Sequence, residues 1–172
     1  MLIVRPTKKL AKQLRYTLSP TNQESTTRLG DWYANKYQFG RNHWILCVSE
    51  RARLPVLLPA KDAKNFPARL QETLQLLLTA FGISPSLIQG EIAEMQEIVY
   101  AKSASRSVLG TMNDYGTALS FYDLRTANPL MGYEASLWLA EIPSGAMAYE
   151  RPDVVTPRLF AADAPADATR SP

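Results

Sequence analysis

The sequence contains one cysteine and one histidine, and this scarcity excludes several kinds of site. Cys47 cannot form an internal disulfide, and its apolar neighbours at residues 45–48 predict a buried, unreactive side chain. A lone cysteine also favours a reducing, cytoplasmic setting. One histidine and one cysteine are too few for a zinc site built from these ligands. His43 lies beside a predicted hairpin turn, which favours a surface residue over a general base, so we expect no metal and no cofactor.

Long apolar runs and glycine-rich phosphate motifs are also missing. No run approaches the roughly 18 residues that a membrane helix needs, so the sequence predicts no membrane association. The chain has neither a G-x-x-x-x-G-K-[ST] nor a G-x-G-x-x-G pattern, which removes the familiar nucleotide cradles. A row of carboxylates at Glu91, Glu94 and Glu97 has no histidine near it, and we do not expect it to bind metal.

The composition is that of a globular domain, with 46% hydrophobic and 20% charged residues in 172. This length favours one domain, which we place at residues 1–160. From residue 161 the sequence AADAPADATRSP is small, polar and proline-bearing, and it predicts a disordered tail at residues 161–172.

Strand patterns dominate the first third of the chain and helical patterns the rest. An aliphatic strand at residues 2–5 is followed by a strand carrying Trp32, a hairpin turn at residues 40–42, a central strand at 43–49 and an edge strand at 54–58. Apolar stripes predict helices at residues 67–81 and 106–122. We therefore predict an α+β fold, with an antiparallel β-meander of four or five strands packed by two or three helices, mainly on one face.

The first predicted helix, from Lys8 to about Tyr16, carries an outward row of cations. Residues 1–50 hold eight Lys and Arg against three Asp and Glu. Aligned cations can displace the counterions of a phosphate backbone, although a solvated helix face has the same appearance. We call this row the basic ridge and predict that it binds nucleic acid or an acidic protein partner; it consists of Lys8, Lys9, Lys12 and Arg15.

Two polar clusters interrupt otherwise hydrophobic elements. In the helix at residues 106–122, Val108, Met112, Tyr115 and Leu119 form one apolar stripe, yet polar residues and glycine weaken the same helix. We expect the acids of both clusters to lie at the helix–sheet seam, paired with Arg28 and Arg106, because an unpaired buried carboxylate costs several kcal/mol. The candidate site is the sum of the two clusters: Arg28, Asp31, Trp32, Asn35, Lys102, Ser105, Arg106, Asn113 and Asp114.

Four segments make the chain similar to a family of small bacterial proteins known only as a domain of unknown function. The resemblance covers about residues 1–122, and its second and fourth segments are the specific ones. It implies no activity or cofactor. The segments are TKKL at residues 7–10, TTRLGDWYAN at 26–35, ERxxLPVLLPA at 50–60 and ASRSVLGTMNDY at 104–115.

Two functions remain open. The first is a non-enzymatic binding module for nucleic acid or a protein partner, acting through the basic ridge and the edge formed by residues 28–35. The second is an enzyme for a phosphate-containing substrate such as RNA. In that enzyme Arg28, Lys102 and Arg106 would stabilise negative charge, and Asp31 or Asp114 would act as the base. An enzyme requires these groups to converge on a cleft, whereas a binding module requires only a basic surface.

Overall fold

The computed structural model describes residues 1–61, 63–124 and 128–162, which form a five-stranded sheet flanked by helices. The strand order is β4-β3-β2-β1-β5. The strands are β1 (Leu2–Pro6), β2 (Trp32–Phe39), β3 (Asn42–Ser49), β4 (Pro55–Pro59) and β5 (Ile98–Tyr100). The helices are α1 (Lys8–Leu14), α2 (Phe66–Ala80), α3 (Pro85–Glu94), α4 (Arg106–Leu119), α5 (Pro129–Ala140) and α6 (Pro152–Ala161).

The sheet is mixed, so the prediction of an antiparallel sheet is correct for only part of it. Strands β2, β3 and β4 form the expected antiparallel meander, with β3 inside and β4 at an edge. Strand β1 instead pairs in parallel with β2 and with β5. A parallel pair needs a long connection, and residues 7–31 provide one between β1 and β2. Hydrophobic alternation shows which face a residue occupies but not the direction of its neighbour, which is why the sequence pattern missed this pairing.

Helices cover both faces of the sheet, contrary to the expectation of one covered face. Alternate residues of β2 and β3 point to opposite sides, and each side has its own apolar cluster. Trp32 and Cys47 pack with α1, α2 and α3 on the first face, whereas Tyr33 and Leu46 pack with α4 and α5 on the second. Strand β3 is apolar along its buried length because both of its faces are covered.

Helices α1 and α4 begin at side-chain caps. The Thr7 side chain accepts a hydrogen bond from the backbone N–H of Leu10, and the Ser105 side chain accepts one from the backbone N–H of Val108. These bonds satisfy donors that the first turn of a helix leaves unpaired. The predicted stripe of α4 is confirmed, since Val108, Met112, Tyr115 and Leu119 are all buried against the second sheet face.

Helix α5 lies directly against the edge strand β4. The backbone N–H of Leu57 donates to Ser136 Oγ at 2.8 Å, and that hydroxyl donates to the carbonyl oxygen of Gly132 at 2.7 Å. Gly132 approaches the strand so closely that an added Cβ would collide with the carbonyl oxygen of Leu57. The small residues of α5 permit this close contact with the strand.

The remaining expectations concern the C-terminal part of the chain. Helix α6 extends from Pro152 to Ala161. Ala161 is thus the first residue of the predicted tail and the last of α6, whereas residues 163–172 lie outside the described part of the chain. None of the helices in residues 1–61, 63–124 and 128–162 is long and apolar enough to cross a bilayer.

Candidate functional site

The Asp31 carboxylate lies at the end of the turn that precedes β2 and is 5% exposed. It accepts a hydrogen bond from Arg5 Nε at 2.6 Å on Oδ2 and one from Ser25 Oγ at 2.8 Å on Oδ1. Ser25 Oγ in turn accepts the backbone N–H of Ile3 at 2.9 Å, which ties the loop before β2 to β1. A buried carboxylate with a charged partner and a hydroxyl donor meets the condition under which burial is tolerated.

Arg5 is the partner of Asp31, and it links the two polar stretches of the sequence. Its guanidinium donates from Nη1 to the carbonyl oxygen of Lys102 at 2.5 Å, so one side chain joins the start of β2 to the segment before α4. Arg5 is 9% exposed, and its Nη2 has no hydrogen-bond partner among the described residues. This leaves a buried cation with unused donors.

The turn before Asp31 is held by groups from two other elements. Glu91 of α3 is fully buried and accepts the backbone N–H groups of Arg28 and Leu29 at 2.8 and 3.2 Å. Burial raises the pKa of the Glu91 carboxyl, and the two N–H donors oppose that rise. Gly30 at the end of the turn has φ +78°, a conformation that side chains other than glycine rarely adopt. Such support fixes the position of Asp31, as outer groups do around binding residues.

A polar cleft of about 500 Å³ opens above the Arg5–Asp31 pair. Its volume falls in the range of small-molecule sites. The charged side chains at its rim are exposed; they are Glu24, Glu50 and Arg51. The full lining consists of Arg5, Thr21, Asn22, Gln23, Glu24, Ser25, Gly30, Asp31, Glu50 and Arg51.

The cluster predicted from residues 28–35 does not assemble as expected. Asp31 pairs with Arg5 instead of Arg28, whose guanidinium carbon lies over the Phe160 ring at 5.5 Å. Trp32 is fully buried in the core of the first sheet face. Asn35 accepts the Thr7 hydroxyl at 2.8 Å and helps to hold α1. Successive residues of a strand point to opposite faces of the sheet, so neighbouring side chains in residues 28–35 do not meet in one cluster.

The α4 half of the predicted cluster lies at the surface. Lys102, Arg106, Asn113 and Asp114 are exposed, and Ser105 caps the helix. The seam is joined by other side chains of α4, because Ser107 Oγ accepts Arg53 Nη2 at 3.0 Å and the Tyr115 hydroxyl donates to the carbonyl oxygen of Arg53 at 2.7 Å. The expected pairing of Arg106 with Asp31 or Asp114 is therefore wrong.

The cations of the basic ridge are exposed, but Arg15 lies beyond the helix that was expected to carry it. Helix α1 ends at Leu14, and Arg15 is its C-cap with a left-handed backbone. Lys8, Lys9, Lys12 and Arg15 are exposed, while Leu10 and Leu14 are buried. None of the four cations forms an ion pair with a residue in the described part of the chain.

A metal centre is not among the arrangements seen. Residues 1–61, 63–124 and 128–162 contain no group of three or more His, Cys, Asp or Glu side chains placed to hold an ion. His43 is exposed at the start of β3, and Cys47 is fully buried. Burial raises the pKa of the Cys47 thiol, so it is neither accessible nor ionised.

A protein-family model described as a domain of unknown function (DUF6933) matches residues 3–155. The chain belongs to this family. The match confirms the resemblance found at residues 1–122 and extends it through α5 into α6. No curated protein and no solved structure matches the chain. The bacterial origin that the resemblance implies stays a prediction.

The span matched by DUF6933 contains the basic ridge, the cleft and the groups that support it. Sequence reasoning found Asp31 but missed Arg5, Ser25 and Glu91. An arginine inside the aliphatic strand LIVRP was a usable signal, because a buried cation requires a partner. Glu91 gave no such signal, since it shares its helix with the exposed Glu94 and resembles a solvated residue.

Proposed function

We propose that this DUF6933 domain is a non-enzymatic binding module that contacts the phosphate backbone of nucleic acid through the basic ridge. The observation that carries the proposal is the row of four exposed cations formed by Lys8, Lys9 and Lys12 on α1 and by Arg15 at its C-cap. None of them forms an ion pair within the described residues, and α1 itself contains no acid. Phosphate contacts of this kind provide affinity without base readout, because they release condensed counterions.

The alternative, an enzyme for a phosphate-containing substrate, has less support. It needs the cations and acids of the two clusters to converge, yet Arg28 lies against α6 whereas Arg106 and Asp114 lie exposed on α4. The helices α4 and α6 pack on opposite sheet faces. The expected cytoplasmic setting stays a prediction that follows from cysteine usage alone.

The proposal is tested by binding to a 30-nucleotide RNA and to duplex DNA, each in two unrelated sequences. We expect weak binding that ignores sequence and falls steeply with salt, with a log–log slope of roughly −3 to −4 for duplex DNA if each ridge cation meets one phosphate. Changing Lys8, Lys12 and Arg15 together to Glu abolishes it without unfolding the protein, because all three side chains face solvent.

A matched control places the same change of charge elsewhere. Arg41, Lys102 and Arg106 are exposed away from α1, and changing all three to Glu alters the net charge equally. Retained binding by this control supports the ridge, whereas equal loss in both variants means that only net charge matters. Absence of retention by the natural protein at low salt, or binding to polyaspartate instead, rules out nucleic acid as the partner.

A further inference from the structure

The cleft above Arg5 and Asp31 has the features of a binding site that is separate from the basic ridge. Arg5 and Asp31 extend from the sheet face that carries α4, because Arg5 is in register with Tyr33 and Asp31 alternates with Trp32. Helix α1 covers the opposite face. A ligand in the cleft would therefore not compete with a partner on the ridge, and the two can be tested independently.

At the floor of the cleft, the Arg5 guanidinium is fixed in place but still has a hydrogen-bond donor without a protein partner among the described residues. Arg5 is held by Asp31 through Nε and by the Lys102 carbonyl through Nη1, so the guanidinium plane cannot rotate without breaking two bonds. Nη2 has no partner among the described residues, although the side chain is nine-tenths buried. Nη2 is not one of the described buried side-chain atoms that lack a partner, so it is open to the cleft and can donate to a ligand acceptor.

The rim of the cleft carries charges of both signs. Arg51 donates from Nη1 to the carbonyl oxygen of Arg28 at 3.3 Å, which fixes its position beside the opening. Glu50 Oε2 accepts the backbone N–H of Asp31 at 3.4 Å, which leaves its Oε1 without a protein partner among the described residues. Glu24 adds a second exposed carboxylate to the rim. The fixed guanidinium is thus at the bottom and two carboxylates are at the mouth.

We propose that the cleft binds a small zwitterion of the amino-acid or dipeptide class. The ligand carboxylate accepts from Arg5 Nη2 and from Arg51, and its ammonium group lies against Glu50 and Glu24. A simple anion would meet the uncompensated carboxylates of the rim, and a simple cation would meet the two guanidinium groups. A molecule with both charges pairs with the guanidinium groups and with the rim carboxylates. The hydroxyl and amide groups of Thr21, Asn22 and Gln23 can form hydrogen bonds with the rest of the ligand.

The test is an NMR titration of the isotopically labelled protein with defined probes. The zwitterions are glycine, L-glutamine, L-lysine and glycylglycine; the singly charged probes are acetate and ethylammonium, and glycerol is the neutral one. We expect saturable shifts of the backbone amides of Gln23, Gly30 and Arg51 with at least one zwitterion, at least tenfold tighter than with any other probe. No saturable shift with any zwitterion, or equal affinity for acetate, overturns the proposal.

Variants at the rim test the charges without disturbing the buried pair. Glu50→Gln removes a negative charge and Arg51→Gln a positive charge, each at an exposed position. We expect each variant to bind the zwitterion at least fivefold more weakly. Glu72→Gln and Arg41→Gln make the same chemical changes at exposed sites outside the cleft and leave binding unchanged. The melting temperature of each variant shows that it is folded. Unaltered affinity in both folded rim variants contradicts the proposed ligand contacts.

Discussion

Two aspartates in this chain illustrate how environment decides the role of a residue. Asp31 is enclosed by Arg5 and Ser25 at the base of a cleft, whereas Asp114 projects from the exposed side of α4. The helical period explains the difference, since Met112 and Tyr115 occupy the buried stripe and leave residues 113 and 114 on the outer side. A structural role therefore belongs to Asp31 and not to Asp114.

Replacing each aspartate by asparagine separates these environments. Asp31→Asn leaves the Arg5 cation buried without its counter-ion, and we expect a loss of about 3 kcal/mol or more in the free energy of unfolding. Asp114→Asn, which preserves shape in the same way, changes it by less than about 0.5 kcal/mol. Denaturant unfolding of both variants measures the difference. Equal stabilities would contradict a buried Arg5–Asp31 pair.

Glu91 makes stability depend on pH in an unusual direction. Because burial raises its pKa in the folded state, the folded protein binds the Glu91 proton more tightly than the unfolded chain does. The contribution of this residue is therefore complete below the ordinary carboxyl pKa and is lost as pH rises through the raised value. Other carboxyl groups contribute their own pH dependence, so the effect is read as a difference between two proteins.

The comparison is between the natural protein and Glu91→Gln, which keeps one acceptor for the turn at residues 28–29. We expect the natural protein to be the more stable one near pH 4.5, with the difference in unfolding free energy shrinking toward pH 8. Denaturant titrations across that interval provide the measurement. A difference that stays constant or grows with pH shows that the folded state does not raise the Glu91 pKa.

Among the elements, α5 is defined by its closeness to β4. Its glycine and serine allow backbone and hydroxyl contacts that a larger residue would prevent, so its position depends on small side chains instead of an apolar stripe. Helix α4 shows the contrasting case. Its stripe at residues 108, 112, 115 and 119 determined the buried face, and the sequence predicted that face correctly.

Two glycine-to-alanine changes distinguish these packing modes. In Gly132→Ala the new Cβ meets the Leu57 carbonyl, which belongs to a strand and cannot rotate aside, and we expect a loss of about 2 kcal/mol or more. Gly110 is exposed in α4 with open space around it, so Gly110→Ala stabilises the protein by up to about 1 kcal/mol. Thermal and denaturant unfolding should both show a lower stability for Gly132→Ala and a higher stability for Gly110→Ala than for the natural protein. A tolerated alanine at 132 would mean that α5 lies farther from β4.

For the molecule as a whole, local patterns predicted the elements better than they predicted how the elements meet. Alternation, turns and helical period predicted the meander, its central and edge strands, the buried stripe of α4 and the exposed cations of the basic ridge. The parallel pairing of β1 and the covering of both faces depend on connections between distant residues, about which these patterns carry no information. The candidate site was mispredicted for the same reason: Asp31 was found, but its partner Arg5 lies 26 residues away on another strand.

The way in which β4 ends the sheet limits how this domain can associate. Leu57 directs its N–H away from β3, and by the two-residue period of a strand Pro55 and Pro59 direct their nitrogens the same way. Proline has no N–H, and the Leu57 N–H is occupied by Ser136, so all three outward nitrogens are unable to donate to another chain. Extension of the sheet by an added strand is thereby blocked on this side. Copies of this domain therefore cannot join edge to edge through β4, and a protein partner cannot bind at this edge by adding a strand.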